Sequence, residues 1–327
     1  MRIPVIFDRP ESEETPPDHE DILLQVKDVK DTLASLGHLC IEVGFTLNIE
    51  KFHKEINLTA PDLVFNLVES VGGKGNLIFL APVILDSMGI PYTGSKTDTI
   101  YRTSNKLFAK EWLEANGVPT PEYVSHEAIN DTVEITGGEY IIKSVWEHAS
   151  TGLDDSSVIT AGSVSDLYRE MDGRKDSLGG QCFAERYIGG REFNLSIIAG
   201  TGGPEVLPPA EMEFDSYEGC KRKIVGYDAK WNQGTFEYNH TVRTFSFTKD
   251  DQPLISVLKN LALRCWKIFR VRGYCRVDFR VDEQNRPWVL EINANPCISP
   301  DSGFMAAAGH AGLGPEDVIK RIISDIN

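Results

Sequence analysis

The stretch YCRVDFRV-DEQNRP-WVLEIN, residues 274–293, carries the strongest indication of the fold. Apolar and polar residues alternate in its first and last parts, as in strands with one buried face. The turn-rich DEQNRP segment between them predicts a β-hairpin. The turn is expected to centre between Gln284 and Asn285. The chain then breaks the second strand at once with Asn-Ala-Asn-Pro, residues 293–296, as the rim of an active site would.

This register brings polar side chains of the two strands together. Asp278 lies opposite Glu291 and Arg276 opposite Asn293, and directly opposed residues share one face of an antiparallel pair. Two carboxylates and a carboxamide suit a hard cation such as Mg²⁺, and a neighbouring arginine can stabilise a transferring phosphoryl group. A solvated strand face with ordinary ion pairs is the alternative. The residues expected to face the core are Val277, Phe279, Leu290 and Ile292.

Composition limits the class of protein. The chain has 327 residues, of which 41% are hydrophobic and 25% charged, so we expect two or three domains or one large α/β domain. With 33 basic and 49 acidic residues, the net charge of −16 argues against nucleic acid as a partner. No apolar run is long enough to span a membrane. Six scattered cysteines without a CxxC pair indicate reduced thiols in a cytoplasmic protein.

Strand and helix patterns alternate over the first part of the chain and predict a parallel α/β unit. The unit is expected to end at the turn-rich segment Pro91-Tyr-Thr-Gly-Ser95. The segment 200–240 carries few signals and is expected to be rich in loops. The helices expected over the whole chain are 22–36, 77–88, 105–115, 253–270 and 315–326. The strands expected before the hairpin are 2–7, 41–43, 63–67, 140–143, 157–160, 183–187 and 192–199, with alternation at 241–247.

Several ordered motifs resemble one known family. Arg276-x-Asp278 followed by Glu291-Ile-Asn293 resembles the magnesium motif of ATP-grasp ligases, specifically the D-alanine–D-alanine ligase group. The other similar segments, in the family's order, are Ile90–Ser95 with Asn105-Lys106, Ile141-Ile-Lys143 with the loop 147–152, Glu185-Arg-Tyr-Ile188 with Arg191-Glu192, and Tyr227-Asp-Ala-Lys230. The resemblance covers residues 60–325 and implies an α/β (α+β) fold with three domains: 1–95, 96–184 and 185–327. The last two would clasp ATP.

The resemblance also implies roles for individual residues. Lys106, Lys143 and Lys230 would bind ATP phosphates, beside Ser150 in a phosphate-covering loop. The adenine hinge and ribose contacts would be Glu185, Arg186, Ile188 and Glu192. The metal ligands would be Asp278, Glu291 and Asn293, with Arg276 acting on the transferring phosphoryl group and Ser302 on a substrate carboxylate. The alternatives are surface lysines, exposed strand carboxylates and ordinary loop serines.

Departures from the family pattern concern the substrate. Trp231 stands where the family has tyrosine, and Cys297 where it has glycine. Cys297 invites a nucleophile hypothesis, but a small buried thiol is the preferred interpretation. The family's glutamate after the first strand and its histidine near the second are both absent, so D-alanine itself is in doubt. Glu69 and His148 are candidates for replacement contacts, and a loop histidine is the simpler interpretation of His148.

We therefore expect an ATP-dependent carboxylate–amine ligase that works through an acylphosphate. Its cofactors would be ATP and two Mg²⁺ ions, with Mn²⁺ as a substitute, and its substrates amino acids or similar small molecules. A homodimer is one option for its assembly, and neither nucleic acid nor membrane is expected as a partner. The alternatives are a nucleotide-binding regulatory module and an ATP-dependent phosphotransferase.

Overall fold

Three β-sheets follow one another along the chain. The structure is a computed structural model. It describes residues 1–9, 17–126, 135–147, 150, 152–217 and 221–326, without the side chains of residues 17–20. Helices pack on each sheet, which confirms the mixed α/β class.

The first sheet is parallel, with the strand order β2-β1-β3. Its strands are β1 (Val5–Asp8), β2 (Glu42–Phe45) and β3 (Phe65–Asn66). Parallel neighbours need crossover connections, which helices provide here. These helices are α1 (Pro17–Ser35) and α2 (Ile49–Thr59), followed by α3 (Leu80–Met88). All four residues of β1 are buried, which explains the unbroken apolar run near the start of the sequence.

The second sheet is antiparallel, with the order β4-β7-β5-β6. Its strands are β4 (Tyr123–Ser125), β5 (Gly138–Ser144), β6 (Val158–Ala161) and β7 (Cys182–Arg186). Two helices precede it and one packs on it: α4 (Thr97–Ser104), α5 (Lys106–Ala115) and α6 (Val164–Arg174). Asn105 caps α5, and its side chain accepts hydrogen bonds from the backbone amides of Leu107 and Phe108. The cap therefore fixes the start of α5, and with it the position of Lys106, the first residue of the helix.

The third sheet has the strand order β11-β10-β8-β12-β13, and a short strand β9 also pairs with β8. Its strands are β8 (Arg191–Ile198), β9 (Glu205–Val206), β10 (Ala210–Phe214), β11 (Thr241–Thr244), β12 (Tyr274–Val281) and β13 (Pro287–Asn293). The associated helices are α7 (Tyr227–Trp231), α8 (Phe236–His240), α9 (Gln252–Phe269), α10 (Gly303–His310) and α11 (Pro315–Ser324). The apolar side of α9 packs on the core face of this sheet, which leaves the opposite face for polar residues.

The predicted hairpin pairs as expected at its polar end. Asp278 lies opposite Glu291, and Arg276 lies opposite Asn293. The same residues also pair with β8, where Asp278 faces Asn194. Three strands therefore contribute to one polar face.

The expected alternation fails at one residue of the hairpin, Leu290. The register shifts between Asp278 and Phe279, so that Phe279 pairs with Val289 and Leu290 is left as a β-bulge. The extra residue reverses the alternation. Val289, with no exposed surface, shares the core with Ile292. The prediction that Leu290 faces the core was wrong, since it is only half-buried.

The segment 200–240 is richer in regular structure than expected, since β9, β10, α7 and α8 lie within it. Their signals are weak because two of the elements are five-residue helices and one is a two-residue strand. Helices α2, α4, α6 and α10 were also not predicted from the sequence. The three-domain division stays a prediction. Because β7 belongs to the second sheet, we propose that the boundary drawn at residue 184 lies a few residues later, after the strand.

None of the helices within the described ranges combines the length and apolar character needed to cross a membrane.

Candidate active site

The polar face of the third sheet is organised around Arg276. Its guanidinium donates two hydrogen bonds to Asp278, from Nε to Oδ1 at 2.7 Å and from Nη2 to Oδ2 at 2.8 Å. Asn194 Nδ2 also donates to Asp278 Oδ1, at 2.9 Å. Arg276 Nη2 lies 3.7 Å from Glu291 Oε1, so one arginine contacts both carboxylates. The fork geometry of the guanidinium fixes the position of both.

The oxygen atoms on this face fit a magnesium ion. Asp278 and Glu291 supply carboxylates, and each carboxylate has more acceptor positions than these contacts use. Asn293 supplies a carboxamide oxygen, which accepts a hydrogen bond from the backbone amide of Asn295 at 2.9 Å. Burial raises the pKa of Asp278, while Arg276 opposes that shift. A donor set of hard oxygen atoms beside compensating cations is suited to Mg²⁺.

Lys106 reaches this face from the second sheet's side of the cleft. Its ammonium donates to the backbone carbonyl of Glu147 at 2.7 Å and lies 4.0 Å from Glu291 Oε2. Burial lowers the pKa of Lys106, and Glu291 opposes the shift. The structure therefore joins the first predicted nucleotide-binding lysine to the predicted metal site.

Lys143 and Glu185 form an ion pair on the second sheet, with Lys143 Nζ 2.6 Å from Glu185 Oε1. Glu185 is 1% exposed and also pairs with Lys110, which has no exposed surface. Burial would raise the pKa of Glu185, but Lys110 and Lys143 lower it below its ordinary value. Glu185 is therefore an ionised carboxylate held between two lysines.

The two loops expected near the phosphates contact each other. Ser150 Oγ donates to the backbone carbonyl of Val225 at 2.8 Å, and Tyr227 N donates to the carbonyl of Leu153 at 3.1 Å. Gly226 lies between these contacts, and a Cβ there would meet Leu153 O at 2.5 Å. The loop that carries Ser150 is thus attached to the segment that leads into Lys230.

Lys230 lies in the short helix α7, half-buried beside the polar face. Burial lowers the pKa of Lys230, and the nearby Arg276 lowers it further. Glu291 and Asp278 oppose the shift. The lysine therefore contributes to a mixed cluster of cations and carboxylates.

Glu192 lies on the same face of the sheet and pairs with Arg280 across strands, with Arg280 Nη2 3.1 Å from Glu192 Oε2. Burial raises the pKa of Glu192. Arg186 instead donates to the backbone carbonyl of Thr136 at 2.6 Å. Arg186 and Ile188 line a cavity of about 830 Å³. The residues that line this cavity do not include Asp278, Glu291 or Asn293.

The predicted substrate residues lie at the end of the polar face near the first sheet. Ser302 caps α10, and its Oγ accepts a hydrogen bond from Met305 N at 3.2 Å. Cys297 Sγ donates to Asp21 Oδ2 at 3.1 Å. Burial raises the pKa of the Cys297 thiol far above its ordinary range, and the negative charges of Glu69 and Asp21 raise it further. A raised pKa disfavours the thiolate form that a nucleophile needs, and Cys297 is half-buried rather than fully buried. His148 lies outside the described residues.

Comparison with known proteins identifies the family of the chain. A family model described as "D-ala D-ala ligase C-terminus" matches residues 127–324. The chain belongs to this ligase family. It is 30% identical to a D-alanine–D-alanine ligase of Chromohalobacter salexigens, over 81% of this chain and 77% of that protein. The identity to the D-alanine–D-alanine ligase of Moorella thermoacetica is 29%, over 99% of this chain and 98% of that protein.

A crystal structure of the Bacillus anthracis D-alanine–D-alanine ligase complexed with ATP has the same fold. The TM-score is 0.72 at 19% identity, over 99% of this chain and 97% of that one. The ATP-grasp architecture expected from the motifs is therefore confirmed. The family uses ATP and Mg²⁺.

Sequence reasoning about this ligase missed four polar residues of the cleft. They are Lys110, Asn194, Arg243 and Arg280. Lys110 follows Lys106 by one helical turn, and Asn194 follows Glu192 by two residues on the same strand face. Both spacings could have indicated from the sequence that these residues lie on the same face as Lys106 and Glu192. The alternation at 241–247 predicted the strand of Arg243, but it could not show that this edge strand joins the sheet that carries Asp278.

Proposed function

We propose that this enzyme joins the carboxylate of one substrate, an amino acid, to the amine of a second. The products would be an amide or dipeptide, ADP and phosphate. As a family member it is an ATP-dependent carboxylate–amine ligase. The observation that carries the proposal is the register of the third sheet. It sets Arg276, Asp278 and Glu291 on one face, where Lys106 approaches from the opposite side of the cleft.

For ATP, we assign the phosphates to Lys106, Lys143 and Lys230, under the loop that carries Ser150. The support is that Lys106 and Lys230 both have the metal-site carboxylate Glu291 as a charged neighbour. The contact between the Ser150 loop and the segment before Lys230 would close the cleft over the nucleotide. We assign the adenine hinge to Glu185, Arg186 and Ile188, and the ribose to Glu192.

For the metal, we assign Asp278, Glu291 and Asn293 as ligands of two Mg²⁺ ions, which Mn²⁺ could replace. When bound, the metal neutralises charge on the phosphate oxygens. Arg276 holds both carboxylates in position and adds positive charge where the transferring phosphoryl group would lie.

The reaction would proceed in two displacements. A carboxylate oxygen of the first substrate attacks the γ-phosphorus, and the bond to ADP breaks, which forms an acylphosphate. The nitrogen of the second substrate then attacks the acyl carbon, phosphate leaves with the electron pair of its C–O bond, and the nitrogen loses a proton. Ser302 would bind a substrate carboxylate. No covalent bond to the enzyme forms, so the residues act by positioning and electrostatics.

The first substrate is proposed to differ from D-alanine. Glu69, Cys297 and Asp21 line the end of the cleft near the first sheet, and Gln25 Nε2 donates to Glu69 Oε1 at 3.2 Å. These contacts differ from those that the family pattern implies. On this proposal, the pocket for the first substrate would be built from other side chains than in the D-alanine ligases.

The proposal is tested by a phosphate-release screen over paired amino acids of both configurations, with mass spectrometry of the products. We expect ATP hydrolysis that depends on two substrates and yields an amide. Hydrolysis that depends on no amino acid would indicate a regulatory module. A phosphorylated product without an amide would indicate a phosphotransferase.

A further inference from the structure

The polar face of the third sheet extends beyond the assigned residues to the edge strand β11. Strand pairing aligns Arg280, Glu192, Met212 and Arg243 across four neighbouring strands. Residues in one such row lie on the same side of a sheet. Arg243 therefore stands on the face that carries Glu192 and Asp278, opposite the helix α9.

The guanidinium of Arg243 extends from this row to the segment that contains Ser302. A Cβ built on Gly303 would lie 3.4 Å from Arg243 Nη2 and 3.6 Å from its Cζ. The absence of a side chain at Gly303 thus leaves room for the guanidinium beside the backbone next to Ser302. This is the segment to which the proposed function assigns a substrate carboxylate.

No acidic side chain forms an ion pair with Arg243 in the described parts of the chain. No hydrogen bond or ion pair engages its guanidinium there, in contrast to Arg276 and Arg280. Burial lowers the pKa of Arg243, and the proximity of Arg276 lowers it further. Partial burial and a neighbouring like charge both disfavour a cation, and a bound anion would stabilise it. Asp301 is the one acidic residue that opposes the shift.

We propose that Arg243 binds an anionic group of the amine-bearing substrate and selects for amines that carry one. This inference rests on the proposed ligase function and assigns a further specificity-determining residue to the same cleft. On the proposed function, the charges of ATP would be matched by Lys106, Lys143, Lys230 and the metal, which leaves Arg243 for a substrate. The guanidinium offers two parallel donors to a carboxylate, a geometry that lysine cannot reproduce.

The test compares Arg243→Met with the wild type on the best amine substrate from the screen and on its carboxamide. In the wild type we expect the free acid to be strongly preferred over the carboxamide. The variant should raise the KM of the acid by about tenfold to a hundredfold, the range for a hydrogen bond to a charged group. It should leave the KM of the carboxamide and of ATP nearly unchanged, so the preference disappears. Arg243→Lys should restore the preference only in part.

Arg169→Met is the matched control, since Arg169 is 72% exposed on α6 and pairs only with a neighbour on the same helix. A general loss of stability would affect both substrates equally, whereas loss of a charge contact affects only the acid. Equal losses for acid and carboxamide, or no preference in the wild type, would overturn the role of Arg243 and leave the ligase function standing.

A second measurement separates the two proposals. Alanine and alaninamide of both configurations are titrated calorimetrically into wild type and Arg243→Met with Mg²⁺ and ADP present. Binding of the acid alone, lost in the variant, supports the role of Arg243. Equal binding of acid and amide overturns it. If no substrate pair is turned over, the ligase function fails, and this titration still decides the role of Arg243.

Discussion

The residue that links the reaction to the fold is Glu291. It opposes Asp278 across the hairpin, lies 3.7 Å from Arg276 and lies 4.0 Å from Lys106. Both cations approach the same carboxylate from different elements. Its negative charge would therefore have two roles, to hold the proposed metal ion and to keep the two cations in place.

We predict that Glu291→Gln abolishes turnover while the fold stays intact. The amide keeps the size of the side chain but removes the charge that a divalent cation requires. Phosphate release measures activity, and far-UV circular dichroism and thermal unfolding measure the fold. Glu283→Gln, in the exposed turn of the same hairpin, is the control and should behave as wild type. Near-normal activity of Glu291→Gln would disprove the metal assignment.

A second residue-scale prediction concerns Lys110, which is fully buried and pairs with Glu185. Its ammonium also donates to Thr120 Oγ1 at 2.8 Å. Lys110→Met should destabilise the protein by about 3–5 kcal/mol, because it leaves part of a buried charge uncompensated. Urea unfolding gives the free-energy change.

The double variant Lys110→Met/Glu185→Gln is the matching experiment. It removes both charges and should lose less stability than the two single variants added together, by about 1–3 kcal/mol. Strict additivity would mean that the two side chains do not interact, which would contradict the ion pair.

At the scale of elements, the cover of the cleft depends on one glycine. Gly226 has an ordinary backbone conformation, with φ −78° and ψ −174°, so its importance is steric and not conformational. We predict that Gly226→Ala lowers kcat/KM for ATP, because its Cβ would meet Leu153 O at 2.5 Å and separate the two loops. Steady-state kinetics with varied ATP measures this effect.

Gly234→Ala is the matched control for that variant. It lies in the same region between α7 and α8, and a Cβ there meets no atom within 4 Å. Equal kinetics for the two alanine variants would show that the contact between the loops does not matter for ATP.

The helices and strands of this protein could be predicted where a regular apolar pattern extends over many residues or ends at clear turn residues. The hairpin's polar register and the helix α9 followed from alternation and from a 3.6-residue repeat. The bulge at Leu290 could not be predicted, because it arises where β13 must satisfy both its own core contacts and its pairing with β12. The short elements between residues 205 and 240 depend on contacts with distant strands rather than on local pattern.

The same physical limit applies to the candidate site. Asp278, Glu291 and Arg276 were brought together by local pairing, which the sequence displays. The pairing of Lys110 with Glu185 spans 75 residues of chain, and that of Arg321 with Glu205 spans 116. No local pattern encodes such contacts. Charge pairs of this kind can be identified only from the folded structure.

At the scale of the whole molecule, the net charge of −16 has to be reconciled with an anionic ligand. The cleft does so locally, since Lys106, Lys230, Arg276 and Arg243 lie in it. Part of the acidic surplus belongs to the proposed metal site. The bulk charge therefore describes the outer surface, and the cleft has a different balance.

We predict that ATP with Mg²⁺ stabilises the protein strongly, whereas ATP with EDTA does not. Ligand at a hundredfold above its Kd should contribute about 2.7 kcal/mol to the free energy of unfolding. Thermal unfolding followed by fluorescence measures the shift, with Mg²⁺ alone as the control. An equal shift with ATP and EDTA would mean that nucleotide binding does not need the metal.

The core around the first sheet has a consequence for synthesis on the ribosome. Ile3, Val5 and Phe7 of the first strand region pack in one cluster with Val318 and Ile322 of α11. Domains generally fold as units as they emerge. Val26, Val29 and Leu33 of α1 also belong to this cluster, so the early helix covers the sheet, but the cluster is complete only when residues some three hundred positions later have been made. During that interval the apolar surface that packs against α11 is exposed, and we expect a chaperone to act on that surface.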